Sequence, residues 1–142
     1  MTGTSRGAIL RRAIETCIQP DDGAITKLGE LFHDDVTVWS PNLLAVGLAD
    51  LAEHLEFHEM AFSDVDIQID ALDVFANKGF AEFRVTATFT GPFVIGKETV
   101  IEPNGHELLL GAAAIADFEA GKIKALRAYF DDTTLLEQML AA

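Results

Sequence analysis

This 142-residue sequence is poor in cysteine and in positive charge. Its single cysteine, Cys17, excludes a disulfide within the chain. Ten Lys and Arg stand against 23 Asp and Glu, which gives a formal net charge of −13. Nucleic acids and anionic membrane surfaces are bound through clustered Lys and Arg, so we expect no nucleic acid and no membrane as partner. Solubility is an ordinary explanation of the acidity.

Long hydrophobic runs and cofactor motifs are also missing. No apolar stretch approaches the roughly 20 residues that a membrane helix needs. The first ten residues, MTGTSRGAIL, contain no apolar signal segment, so a cytoplasmic location is expected. No phosphate loop, nucleotide fingerprint or nucleophile triad is visible, and we therefore expect no cofactor.

Apolar residues make up 49% of the chain and include ten Phe, which is enough for one core. We predict a single domain over residues 1–142. Helical spacing predicts a first helix in SRGAILRRAIETCIQ with Ser5 as N-cap, and a second over about 24–32. HDD is then read as a turn, VTVW as a short strand and SPNLLAVG as a loop.

A third helix is predicted over about 48–62. Leu51, Leu55 and Phe62 form its apolar stripe, His58 lies within that stripe and His54 on its flank. The period then changes to two, with a slip at Leu72 that indicates a bulge.

Three further strands follow, in GFAEFRVTATFTG, HELLLGAAAIADF and KIKALRAYF. The second is apolar on both faces, as expected of a central strand. Strict alternation in the third puts Ile123 and Tyr129 on one face, and Leu126, Ala128 and Phe130 on the other. A last helix would be capped by Asp132 or Thr133.

This order predicts an α+β fold. We expect a cone-shaped, curved, mixed or antiparallel sheet. Three helices from the N-terminal half would cover its concave face, with a short C-terminal helix.

Four segments resemble the SnoaL-like polyketide cyclase group: ELFHDDVTVWSP, GLADLAEHL, TGPFVIGKETVIEPNG and GKIKALRAYFDDTTLLEQML. That group lies in the nuclear-transport-factor-two-like superfamily with ketosteroid isomerase and limonene epoxide hydrolase. The resemblance extends from Ala8 to Leu140. It implies a cone-shaped barrel with a hydrophobic pocket, often in a dimer, and it does not by itself imply a reaction.

The charged positions of those relatives fall on uncharged residues here. By the resemblance, the isomerase base corresponds to Ser40 and its tyrosine donor to Thr16. The central-strand histidine or carboxylate corresponds to Ala114, and the aspartate of the last long strand to Ala128. Alanine cannot remove a proton, so neither cyclisation nor epoxide hydrolysis can be transferred from the relatives.

A cavity widened by small residues is the remaining hypothesis. His58 would be its one ionisable group, kept neutral by desolvation and able to act as an acid–base group. A core histidine bonded to a carbonyl or to Thr16 explains His58 equally well. His54 and His58 have metal-ligand spacing but no evident third ligand, so no metal is predicted. The predicted site comprises Thr16, Ser40, His54, His58, Phe83, Val85, Phe89, Leu110, Ala112, Ala114, Leu126, Ala128 and Phe130.

Three functions stay open from the sequence. One is a cyclase- or isomerase-type enzyme that uses His58 on a ring-containing molecule. Another is a noncatalytic binding protein for a small hydrophobic molecule, and the third is a dimeric scaffold with a filled interior. A homodimer is expected because the strand from Leu109 to Ile115 is apolar on both faces, and the helices can cover only one of them.

Overall fold

The fold was determined as a computed structural model that describes residues 5–58, 61–95 and 99–142, without the side chains of Asp22, Phe57, His58 and Ile95. These residues form four α-helices, a 3-10 turn at Leu28–Glu30 and eight strands. The helices are α1 (Arg6–Ile18), α2 (Asp22–Thr26), α3 (Leu48–His58) and α4 (Asp132–Leu140). The strands are β1 (Phe32–Ser40), β2 (Leu43–Val46), β3 (Phe62–Phe75), β4 (Lys78–Phe89), β5 (Phe93–Ile95), β6 (Thr99–Ile101), β7 (Glu107–Glu119) and β8 (Lys122–Phe130).

Six strands form one curved, open sheet in the order β2-β1-β8-β7-β4-β3. Neighbouring strands are antiparallel except β1 and β8, which run parallel. β5 and β6 make a separate two-stranded sheet. The mixed α+β class predicted from the sequence is therefore confirmed, and β7 lies inside the sheet as predicted. None of the described helices is long and apolar enough to cross a bilayer.

Helix α1 packs against the inner face of the sheet. Ser5 caps it as predicted, because its hydroxyl accepts a hydrogen bond from the Ala8 N–H at 3.2 Å. Buried Leu10 approaches the sheet at Gly79, where a Cβ would lie 2.9 Å from its Cδ2 and 3.0 Å from the Phe118 ring. The absence of a side chain at position 79 thus permits the close packing of α1 on the sheet.

Several predicted boundaries are wrong. The third helix ends at His58, and Phe62 begins β3, where it pairs with Phe89. HDD lies inside β1: a register shift against β8 leaves both Asp34 and Asp35 exposed within the strand. SPNLLAVG is a hairpin that contains β2, and the second helix is divided into α2 and the 3-10 turn.

Register shifts between neighbouring strands change which residues face inward, and two more of them bear on the predicted faces. The predicted slip in β3 is confirmed by a register shift between Ile69 and Ala71. A second shift, at Asp117 and Phe118 of β7, was not predicted. It turns Ile123 of β8 into the core, where it is fully buried, although strict alternation placed it on the outer face.

Helix α4 is capped at its beginning and buried along one face. The Asp131 carboxylate accepts a hydrogen bond from the Thr134 N–H at 3.1 Å, so the N-cap is Asp131 and not Asp132 or Thr133. The Thr134 hydroxyl also donates to this carboxylate, and these bonds lower the pKa of Asp131. Leu135 and Met139 pack into a cluster with Phe89 and other buried residues.

Two side-chain amides hold the end of α4. β8 pairs with β7 only from Ala112 onward, and Gln138 occupies the next part of that edge. Its amide accepts from the Leu109 N–H at 2.8 Å and donates to the Leu109 carbonyl at 2.9 Å. Asn104 donates to the carbonyls of Gln138, Met139 and Ala141 at 3.0–3.1 Å. These contacts satisfy carbonyls that a helix end leaves unpaired.

Candidate functional site

A cavity of about 200 Å³ lies between the sheet and the helices. β1, β4, β7 and β8 supply its walls, with further residues from α1, α3, β3 and α4. Its described lining is mostly aliphatic and aromatic and contains no Asp, Glu, Lys, Arg or His. Such a space can hold an apolar molecule without leaving a buried charge unpaired.

The structure brings eight of the thirteen predicted site residues to this cavity. Ala128 faces it between Leu126 and Phe130 on β8, and Ala112 faces it on the neighbouring β7. The small side chains therefore widen the space that the larger ones enclose. The eight residues are Ser40, Phe83, Val85, Leu110, Ala112, Leu126, Ala128 and Phe130.

Two predicted site residues, Ala114 and Thr16, do not line the cavity. Ala114 is packed in the core together with residues of α1, and Thr16 lies on α1 but faces a different groove. Ala114 is 2% exposed and belongs to the core cluster that α1 closes through Leu10 and Ala13. Thr16 is buried on α1 but lines a separate polar groove beside α2 and the start of β3. From α1 the cavity receives Cys17 and Ile18 instead.

Phe89 and His54 are also outside the cavity lining. Phe89 is fully buried, and its ring lies 5.9 Å from that of Phe62, which lines the cavity in its place. The side chain of His54 is 40% exposed, with Nε2 3.6 Å from an oxygen of Asp50. That histidine is therefore on the solvent side of α3.

The remaining predicted residue, His58, has its side chain outside the described part of the structure. Its backbone ends α3, three positions after Leu55, which lines the cavity. Residues three apart in a helix share a face. The prediction that His58 faces the cavity is consistent with this spacing and stays a prediction.

Several lining residues were missed from the sequence. Phe93 belongs to β5, between the strands that were predicted, and Leu135 belongs to α4. Their inward orientation depends on contacts between distant segments. Cys17 was not among the predicted site residues. It lines the cavity half-buried, and burial raises the pKa of its thiol to about 12, so that it stays protonated at neutral pH.

One end of the cavity is polar. Ser40 ends β1 and Asn42 lies in the tight turn before β2, and both line the cavity. The Ser40 hydroxyl donates to the Asn42 side-chain oxygen at 3.0 Å. Ser40 is half-buried and Asn42 is exposed, so this pair lies at the rim.

Charged side chains are placed on the opposite face of the sheet. Arg84 bonds Asp70 through two contacts of 2.9 Å and lowers the pKa of that carboxyl. Arg127 bonds Asp117 at 2.8 Å, and Lys78 bonds the same carboxylate. These bonds lower the pKa of Asp117. The ion pairs belong to the outer face and not to the cavity.

The sequence model of the SnoaL-like polyketide cyclase family matches residues 8–139. The chain belongs to this family. A search of curated proteins finds no match.

Solved structures share the fold at low sequence identity. A protein from Jannaschia sp. CCS1, assigned to the SnoaL-like polyketide cyclases, is 14% identical with a TM-score of 0.79, covering 100% of this chain and 99% of that one. IdmH from Streptomyces antibioticus, assigned as a polyketide cyclase, is 14% identical with a TM-score of 0.75 and coverage of 97% and 100%. A limonene-epoxide-hydrolase-like epoxide hydrolase from M. tuberculosis is 12% identical with a TM-score of 0.66 and coverage of 95% and 89%.

Ser40 and Ala128 of this SnoaL-like chain line the cavity. The resemblance matched them to a catalytic base and to an aspartate of the relatives, but neither residue carries a charge here. Among the residues that the structure describes, no group of three or more His, Cys, Asp or Glu could hold a metal ion. The described lining therefore offers an apolar space and, at one end, the polar Ser40–Asn42 pair.

Proposed function

We propose that this SnoaL-like protein binds a small, uncharged, ring-containing hydrophobic molecule in the cavity. The supporting observation is an apolar space of about 200 Å³ whose described lining bears no charge. A cavity of about 150 Å³ lined by apolar side chains accepts benzene in another protein, so one or two rings match the present volume. An ionised ligand would lose its hydration without gaining a partner.

Occupation of the cavity is testable with a matched pair of variants. Ala128→Phe places a phenyl group where the ligand would lie, whereas Ala71→Phe makes the same change at an exposed position of β3. Naphthalene derivatives should raise the melting temperature of the wild type and of Ala71→Phe but not of Ala128→Phe. Native mass spectrometry should show the same pattern. Equal binding by all three proteins would place the ligand outside the cavity.

Proton transfer by His58 is the second candidate function. It is favoured by the position of residue 58, which follows Leu55 by three residues on the helix that contributes to the cavity. Cys17 is the one ionisable residue of the described lining, and its pKa of about 12 makes it a poor base at neutral pH. A single positioned imidazole contributes about 10² to 10⁴-fold, which suits an already acidic carbon.

Catalysis and simple binding give different kinetic results. With enolisable ring ketones, an enzyme should show turnover with a pH dependence near the pKa of an imidazole. His58→Phe should abolish that turnover with the melting temperature retained. A noncatalytic binding protein would bind the same ketones without turnover. Turnover that persists in His58→Phe would exclude His58 as the acid–base group.

We also propose that a second copy of the chain covers the outer face of the sheet. Phe80, Leu109, Tyr129 and Trp39, here called the outer-face patch, are 40–55% exposed. The Trp39 and Tyr129 rings are 5.3 Å apart. Leu109 and Phe80 lie at other positions of the same sheet face. Exposed apolar groups concentrated on one face mark interaction sites.

Local pairing of charges reduces the repulsion that a second copy would meet at this face. Each chain carries −13, so two copies repel unless the contact surface is locally balanced. Beside the patch, Asp70 is paired with Arg84, and Asp117 with both Arg127 and Lys78. These carboxylates would therefore enter the contact together with their cations, and exposed Glu82 of β4 is a further acidic group on the same face.

The oligomeric state tests this surface. Light scattering at tens of micromolar should give the mass of a dimer for the wild type and of a monomer for Leu109→Lys. Val94→Lys, at a 53% exposed position of β5, is the control and should remain dimeric. A monomeric wild type, or a dimeric Leu109→Lys, would contradict the proposal.

A further inference from the structure

We infer that Asn42, held by Ser40, is a specificity-determining residue that recognises a carbonyl-type oxygen on the ligand. This inference rests on the proposed function, because it concerns one end of the same cavity. The two residues flank the β1–β2 turn and both line the cavity. They supply hydroxyl and amide groups in a lining that is otherwise mostly aliphatic and aromatic.

The hydrogen bond between them determines what the pair offers. The Ser40 hydroxyl donates its one hydrogen to the Asn42 side-chain oxygen at 3.0 Å, so this hydroxyl has no hydrogen left to donate to a ligand. The Asn42 amide nitrogen carries two further donors. Among the described residues, neither side chain has another hydrogen-bond partner. The pair therefore presents free N–H groups, which complement an oxygen acceptor such as a ketone or aldehyde.

The location of the pair sets the orientation of the ligand. Asn42 is exposed and Ser40 half-buried, whereas Leu126 and Phe83 deeper in the site are at most 5% exposed. Rings that enter the apolar interior would leave the oxygen at the rim beside Asn42. This arrangement avoids burying an unsatisfied acceptor, which costs about 1–3 kcal/mol. The ligand class is thus a one- or two-ring molecule with a carbonyl at one end.

An isosteric ligand pair measures this recognition directly. 2-Acetylnaphthalene and 2-isopropenylnaphthalene differ by replacement of C=O with C=CH₂. The ratio of their dissociation constants, alkene over ketone, gives the carbonyl preference of each protein. Comparison of this ratio between proteins cancels the intrinsic hydrophobicity of the two ligands.

Three variants separate recognition from packing. Asn42→Leu removes the donors at similar size, and Asn42→Asp keeps the shape and the acceptor for Ser40. Leu43→Ala removes an adjacent apolar lining residue and should weaken both ligands without changing their ratio. Melting curves establish that each variant is folded.

We expect the carbonyl preference to fall about three- to tenfold in both Asn42 variants, as for loss of one net hydrogen bond, and to stay constant in Leu43→Ala. An unchanged ratio in the Asn42 variants, with both ligands bound, would overturn this inference and leave the proposed function intact. Failure of the wild type to bind either ligand would overturn both.

Discussion

Substitution of Ala128 by phenylalanine is the most direct test of whether the interior of the sheet is open. Ala128 faces the cavity between two larger neighbours, and the residue opposite it on β7 is Ala114. In a filled core, a phenyl group added at this point would overpack and cost about 1–3 kcal/mol. In an open cavity the phenyl ring has space, so the substitution should raise the free energy of unfolding instead of lowering it.

The expected magnitude follows from the volume. At roughly 24 cal/mol per Å³, an empty closed space of about 200 Å³ corresponds to about 5 kcal/mol of lost packing. This value is an upper bound, because the cavity reaches the surface at exposed Asn42. Burial of a phenyl group contributes about 1.5–3 kcal/mol, reduced by the loss of side-chain entropy. We expect a net gain of about 1–2 kcal/mol, or a melting temperature higher by about 3–6 °C.

Urea unfolding followed by far-ultraviolet circular dichroism measures this free energy. The fluorescence of Trp39, the single tryptophan, provides a second probe. A higher midpoint at constant slope would show that the native state itself was stabilised. A loss of 2 kcal/mol or more would refute the reasoning, since it would mean that the space beside Ala128 is already occupied.

Three further outcomes are expected. Gln138→Ala removes both hydrogen bonds to Leu109 and should lower the free energy of unfolding in urea by about 1–2 kcal/mol; an unchanged value would mean that water replaces the amide. The hydrogen bond from Arg127 lowers the pKa of Asp117. The ionised carboxylate therefore stabilises the folded protein fully at pH values above the unfolded pKa of about 3.9, and this contribution is lost as the pH falls through the lower folded pKa. The difference in melting temperature between wild type and Asp117→Asn should therefore shrink toward pH 2, and a difference independent of pH would contradict this. Cys17, with a pKa of about 12, should resist iodoacetamide at pH 8 in the native protein and react after unfolding; rapid native labelling would show an accessible thiolate.

The sequence predicted those elements whose apolar period is long and regular. β4 alternates over a dozen residues, so its existence and its inner face followed from the pattern alone. β7 is apolar on both faces, which indicated a central strand but not which of its side chains face inward. Boundaries failed where tertiary pairing decides them. Phe62 fits a helical stripe, yet it lies in β3 because its backbone pairs with Phe89. No local signal distinguishes these two outcomes.

Residues that line the cavity were predicted better on strands than on helices. Ala112 and Ala128 lie on regular strands, so a correct phase sufficed to place them. Thr16 and Cys17 are adjacent on α1, and the choice between them depends on how that helix is rotated against the sheet. Ile123 shows the corresponding limit for strands, because one extra residue in the ladder reverses its face.

The attachment of α4 also has a chemical consequence. Asn104 precedes Gly105, and an Asn–Gly bond in a flexible chain deamidates readily when the glycine nitrogen attacks the asparagine amide carbon. Here the Gly105 N–H is bonded to the Phe89 carbonyl at 2.9 Å, and the Asn104 amide is held by three carbonyls. The folded chain thus protects the Asn104–Gly105 bond from deamidation. The amount of succinimide or isoaspartate formed on storage would therefore measure local unfolding at the C-terminal helix.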